Sequence, residues 1–344
     1  MKRFIGTSVL LFLFLLFISC NSSSSKIVEG AKVIERNDLS VSSSIAQPLF
    51  LDTGQSEYIG AVAIYDIGDG GAILQKMSGE FCLTWLDLST GEERGLVRRG
   101  RGPDEMVDAG FSGYWRNEQG DIEMAAYSIS TLDALYINLT QSLSDNKTIV
   151  LSKKKLPKGT MYALANESSL FCYTFDLNNT ISWKIIDTSG DIVSIQPFGN
   201  NGQVSDPSKY FAASAISDHG NSIVMGMASF PRLFILNRRG QSLAVSLNSE
   251  SDDRIIDRLI QNDSNTEDYC LWIQFFDREI YCLTADQEGI ESGRNSELLM
   301  LFDCGGHLKS VTRIPEALTS FIVADEGESI IGITMNGQIN KFLL

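Results

Sequence analysis

Phe81-Cys82-Leu83-Thr84, Phe171-Cys172-Tyr173-Thr174 and Tyr281-Cys282-Leu283-Thr284 are three versions of one short phrase, each set in an apolar stretch. Such recurrence has to be weighed before any local motif, because a repeat period of roughly 20 to 50 residues decides the whole architecture. Read as small hydrophobes, the three cysteines belong at equivalent positions of buried strands.

Working outward, six units can be laid in phase. Each opens with an apolar strand and a polar turn: Ile64–Asp69 with Gly70, Gly113–Gln119 with Gly120, Tyr162–Asn166 with Glu167, Ala213–Asp218 with Gly220, Leu271–Phe276 with Asp277, and Phe321–Ala324 with Gly327. A second strand follows, then a third that ends in a tight turn at Asp87–Gly91, Asn138–Thr140, Asp187–Gly190, Asn237–Gly240 and Asp303–Gly306. Asp or Asn followed by Gly is hairpin chemistry, since the side chain bonds its own backbone and Gly accepts positive φ. Fourth strands are read at Asp191–Gln196, Gln241–Leu247 and His307–Ile314.

Four strands per unit of about 50 residues, six times over, predict an all-β six-bladed β-propeller with four-stranded antiparallel blades across residues 41–344. No amphipathic helix of more than three turns stands between the strands, as a βα fold would require. The last unit ends at its third strand, Gln338–Leu344, so an N-terminal segment, Lys26–Arg36 or Val41–Leu51, is expected to supply the missing strand and close the ring. The third-strand turns step by 51, 49 and 50 residues and then by 66. The excess falls at Asn248–Asp268, where Asp253–Ile260 has helical spacing, and at Asp286–Glu297; it reads as a lid or partner contact, or as a tolerated surface insertion.

The N-terminus gives an address. Lys2 and Arg3 precede the unbroken apolar run Val9–Ile18, which is short for a transmembrane span, and Ser19 then leads into Cys20. This resembles a bacterial lipoprotein signal over residues 1–20, with Cys20 lipidated and residues 21–40 forming a Ser-rich tether and a candidate closing strand. The resemblance implies a cell-envelope protein held to the outer membrane by its anchor and facing the periplasm. The chain has 344 residues, 43% of them hydrophobic and 21% charged, enough for a sizeable core. Its formal net charge of −15 argues against nucleic-acid binding, which needs clustered cations to displace counterions. Five cysteines besides Cys20, at no metal-site spacing, make a poor disulfide framework.

One segment stands out chemically: Arg98-Arg99-Gly100-Arg101-Gly102-Pro103-Asp104-Glu105, between the first and second units. Its arginines suit a carboxylate or sulfate, and its glycines permit close backbone approach. The competing reading is a tight inter-blade crossover with local ion pairs. Here the chain resembles the TolB-like six-bladed propeller lipoproteins of Bacteroidetes, whose Gly-x-Gly-Pro-x-Glu motif is matched by Gly100, Gly102, Pro103 and Glu105. That resemblance implies the fold and the address, and no settled activity. Comparable connections carry Lys158, Lys209 and Tyr210, so the candidate ligand-binding set is Arg99, Arg101, Gly102, Pro103, Glu105, Lys158, Lys209 and Tyr210.

Signals for catalysis are sparse. His219 and His307, the two histidines, both fall in turns; no nucleophile elbow, phosphate loop or zinc motif occurs; and Asp66–Gly71 lacks the further ligands of a calcium loop. No metal or cofactor is expected. The leading expectation is a non-catalytic propeller that binds a small molecule, glycan or envelope protein at its channel mouth. The alternative is an envelope hydrolase or lyase acting on a glycan through channel carboxylates, for which Glu57, Asp104, Glu105 and Asp206 are the nearest acids. A third reading, a purely structural partner, would show a large exposed apolar patch.

Overall fold

The computed structural model describes residues 31–34, 39–49, 58, 60–175, 181–187, 189–195, 212–216, 221–237, 242–247, 269–286, 289, 291 and 296–344. Cys20, Glu57, Asp206, Lys209, Tyr210, His219 and the helix read at Asp253–Ile260 lie outside them.

Three short N-terminal strands come first: β1 (Lys32–Ile34), β2 (Val41–Ser43) and β3 (Ile45–Pro48). Blade 1 holds β4 (Ala61–Asp66), β5 (Gly71–Lys76), β6 (Phe81–Asp87) and β7 (Glu93–Arg98). Blade 2 holds β8 (Gly110–Arg116), β9 (Ile122–Ser128), β10 (Asp133–Asn138) and β11 (Val150–Lys155), and blade 3 holds β12 (Thr160–Asn166), β13 (Ser169–Phe175), β14 (Ile181–Asp187) and β15 (Ile192–Ile195). Blade 4 contains β16 (Ala212–Ile216), β17 (Ser222–Met227), β18 (Arg232–Asn237) and β19 (Ser242–Ser246). Blade 5 contains β20 (Cys270–Phe276), β21 (Glu279–Ala285), β22 (Glu297–Asp303) and β23 (Leu308–Ile314), and blade 6 has β24 (Leu318–Ala324), β25 (Ser329–Thr334) and β26 (Ile339–Leu343).

The six sheets form a six-bladed propeller, with each blade's first strand innermost. Blade 6 is completed by β3, antiparallel to β26 with Phe342 opposite Ala46, so the second of the two expected segments, Val41–Leu51, closes the ring and the closing strand does not lie within residues 21–40. The arm does more than was expected. Strand β1 adds in parallel to β19 at the rim of blade 4, and β2 adds in parallel to β23 at the rim of blade 5. The N-terminal arm therefore covers two outer edges before completing a third blade, and each covered edge has its backbone groups paired.

Two local readings need correction. Cys172 and Cys282 do occupy matching second strands, β13 and β21, but Cys82 lies on a third strand, β6; all three are buried. The likeness of the three phrases reflects a shared burial pattern, and apolar alternation does not count strands. At Asn138–Thr140 no hairpin turn forms. Asn138 instead caps a helix, α1 (Leu139–Asp145), its side chain accepting the Gln141 N–H at 2.8 Å. No Gly follows Asn138 to take positive φ, so the capping chemistry of Asn prevails.

Inner strands share a feature that the sequence pattern did not show. In β4, β8, β12, β20 and β24 the register slips near the strand start, leaving Val62, Ser112, Met161, Leu271 and Thr319 as extra residues. A bulge adds twist and re-aims the following side chain, which suits strands converging on a narrow axis. Side chains then satisfy backbone groups between neighbouring inner strands: Ser320 Oγ accepts the Ile64 N–H at 2.9 Å, and Gln274 Oε1 accepts the Val323 N–H at 2.9 Å.

The core lies between blades, and its composition varies around the ring. Blades 2 and 3 meet through Ala125, Ala134, Ala163 and Ala165, whereas blades 3 and 4 meet through Phe171, Tyr173, Trp183, Phe230 and Phe234. Small residues let β8 and β12 approach until a Cβ at Gly113 would overlap the Ala165 carbonyl oxygen.

Candidate functional site

The connection from β7 to β8 carries the arginine-rich segment, and its geometry is self-contained. Arg99 spends its guanidinium on three backbone carbonyls: Nε donates to Gly79 at 3.2 Å, Nη1 to Val107 at 3.1 Å and Nη2 to Lys76 at 2.8 Å. Glu105 folds back so that Oε2 accepts the Gly102 N–H at 2.8 Å, and its carboxylate lies where a Cβ on Gly100 would be. The chain then crosses itself in a short parallel bridge between Arg99 and Met106. Gly100, Gly102 and Glu105 together form a folded staple, with the half-buried Glu105 also 3.9 Å from the Arg98 Nε. Arg101 and Pro103 are exposed on it, and Lys158 is exposed on the corresponding connection from β11 to β12. Both connections run from an outer strand to the next inner strand, so they emerge on the same end of the ring.

Below that end, aromatic side chains converge on the axis. Tyr65 of blade 1 stacks at a tilt on Phe111 of blade 2, with ring centroids 4.8 Å apart, and reaches Trp272 of blade 5 at 5.4 Å. Blade 6 stands between blades 5 and 1, so the second contact reaches past the inner strand of blade 6. The Tyr65 hydroxyl donates to Gln75 Oε1 at 2.9 Å, and the Trp272 Nε1–H donates to the Phe321 carbonyl at 3.1 Å. On the other side, Tyr162 pairs its hydroxyl with Ser214 of blade 4 and packs edge-on against Trp183 at 5.5 Å.

Tyr127 lies near enough to both tyrosines to act on them electrostatically. It belongs to a second strand, yet its ring lies in the space that a side chain on Gly110 of the inner strand would fill. Burial pushes the Tyr127 phenol up to about 12, with a smaller push from the Asp108 carboxylate. Burial also raises Tyr65 and Tyr162, and the Tyr127 hydroxyl adds a smaller push to each. All three phenols are therefore protonated across the physiological range, where they serve as hydrogen-bond donors and acceptors. The Tyr127 hydroxyl has no hydrogen-bond partner among the described residues, whereas those of Tyr65 and Tyr162 are engaged. Sequence reading selected none of these residues. The usable signal was an aromatic on the first strand of a unit, as at 65, 162 and 272.

Acids are differently placed. Burial raises Asp66 at the end of β4, and burial raises Glu297 at the start of β22 to about 7. One closes a first strand and the other opens a third, so they stand at opposite ends of non-adjacent blades and form no catalytic pair. Among the described residues no group of three or more His, Cys, Asp or Glu side chains is arranged to hold a metal, and no helix is long and apolar enough to cross a membrane. Exposed large hydrophobics are scattered: Met77 in blade 1, Leu151 in blade 2, Ile192 and Val193 in blade 3, and Met335 in blade 6.

No family model and no curated protein matches the chain. Solved structures do. A Bacteroides fragilis protein described as exported superimposes with a TM-score of 0.54 at 15% identity, over 90% of this chain and 98% of its own. A member of the DUF4221 family from Bacteroides vulgatus gives 0.56 at 11% identity, over 89% and 97%. The calcium-binding protein regucalcin from Agrobacterium tumefaciens gives 0.51 at 9%, over 89% and 95%. At these identities the likeness is one of fold.

Proposed function

We propose that this protein is a lipid-anchored, TolB-like propeller of the bacterial cell envelope, held by Cys20 to the outer membrane and facing the periplasm. In this reading it binds a neutral small molecule, a glycan or a segment of an envelope protein in its channel without making or breaking bonds. The observation that carries it is the phenol cluster: Tyr65, Tyr127 and Tyr162 with Trp272 supply flat apolar faces and uncharged polar atoms where a hydrolase would need paired carboxylates. The signal-like N-terminus and the fold shared with an exported Bacteroides protein support the address. Exposed Arg101 and Lys158 stand at the mouth, with Lys209 and Tyr210 as further candidates there, and would meet a ligand as it enters. Arg99, Gly102 and Glu105 hold the connection that presents Arg101.

The test is a thermal-shift screen of the full chain in detergent against oligosaccharides, peptides and divalent metals. A ligand that binds only the folded state, at 100 times its Kd, adds roughly 2.7 kcal/mol. A hit lost in Tyr127→Phe and weakened in Arg101→Ala supports the channel reading. A hit indifferent to both, or turnover of a glycan, overturns it.

A further inference from the structure

None of the five described cysteines is in a disulfide, but two of them lie close together. Cys270 opens β20 and Cys282 lies on the adjoining β21, and their sulfurs are 3.3 Å from each other. Both side chains are buried, at 3% and 0% exposure, in the core between blades 4 and 5. Two features of the fold create this contact. The register slip at Leu271 displaces the start of β20 relative to β21. Gly226 on β17 of the neighbouring blade leaves room for the Cys270 thiol, since a Cβ at 226 would overlap it. By contrast, Cys82 faces the Met106 carbonyl and Cys304 the Arg278 carbonyl.

We infer that Cys270 and Cys282 are a built disulfide site, which cross-links the two inner strands of blade 5 when the chain meets a disulfide oxidant. Their sulfurs, 3.3 Å apart, need to close by only about 1.3 Å to reach the bonding distance of about 2.05 Å. The chemistry is exchange with a small or protein disulfide. One protein thiolate attacks the oxidant and forms a mixed disulfide, releasing the first thiol; the second protein thiolate attacks that bond and releases the other. Two electrons pass to the oxidant, and the two cysteine protons end on its two released thiols. The hydrogen bond that the Cys282 thiol shares with the Cys270 sulfur, together with burial, pushes the Cys282 thiol up, so it is the poorer first nucleophile. The biological occasion rests on the export reading, because exported chains meet disulfide oxidants and cytosolic chains meet reductants.

The test is independent of address. The full chain is exposed to oxidised glutathione, once folded and once while refolding from denaturant with mixed reduced and oxidised glutathione. It is then denatured, alkylated, digested and mass-mapped. The expected result is a Cys270–Cys282 linked peptide lighter by two hydrogens, with Cys82 and Cys172 alkylated. In Cys282→Ala, Cys270 should be found alkylated or joined to glutathione. If Cys270 and Cys282 take up the alkylating agent as fully as Cys82 and Cys172 in both experiments, the inference is overturned.

Discussion

Tyr65 and Trp272 come from blades 1 and 5, 207 positions apart in the sequence, and their ring centroids lie 5.4 Å from each other past the inner strand of blade 6. Inner strands of a propeller are held mainly by their own blades, so a contact that skips a blade ties the ring together at its axis. Trp272→Ala should therefore lower stability by about 3 kcal/mol, the lower end for loss of a large aromatic. Urea unfolding would measure this, and a change below about 0.5 kcal/mol would show that the contact is incidental.

The connection after blade 1 predicts a contrast between neighbours. Arg99→Met leaves three carbonyls without their donor and should cost about 1–3 kcal/mol. Arg101→Ala, at an exposed position, should stay within about 0.5 kcal/mol. Melting curves of the two variants decide whether the segment divides as described, one arginine holding the crossover and the other free for a ligand.

Gly113 marks a close approach of blades 2 and 3. Gly113→Ala should destabilise by about 3 kcal/mol or more, because the added methyl meets the rigid backbone of Ala165 and no flexible side chain. Gly70→Ala, at a turn with open space but φ of +72°, should cost about 1 kcal/mol. Equal losses at the two sites would argue that the alanine-rich interface can open.

Glu297 gives the pH dependence a sign. Its carboxyl sits near 7 in the folded chain, above the unfolded value, so its contribution to stability is fully present below about pH 4.3 and is lost as pH rises through 7. Glu297→Gln keeps an acceptor for the Leu318 N–H at 3.0 Å without the buried charge. The variant should match the parent at pH 4 and exceed it by about 3 kcal/mol at pH 8, as read from urea midpoints. A parent that is the more stable at pH 8 would contradict the assignment.

Cys20→Ser tests the address. If Cys20 carries the anchor, the variant should leave the membrane fraction for the soluble fraction, and the parent should release a lipid-modified N-terminal peptide on digestion.

Blade count, innermost strands and the need for a closing N-terminal strand were legible from the sequence, because alternation of apolar residues and Asp/Asn-Gly turn chemistry are local properties that repeat every 50 residues or so; which of the two candidate segments closes the ring was not. The same local reading fails wherever one pattern serves two positions, as when the Cys82 phrase matched second strands while lying on a third. Local turn chemistry also misled at Asn138, where the absence of a following Gly favoured a helix cap. What only the tertiary structure decided are the meetings between blades: Tyr127 lying over Gly110 to approach Tyr65 and Tyr162, Arg99 turned onto three carbonyls, Cys270 brought to Cys282 by a bulge. Closing a ring determines which side chains face each other across it, and no spacing along the chain encodes that distance.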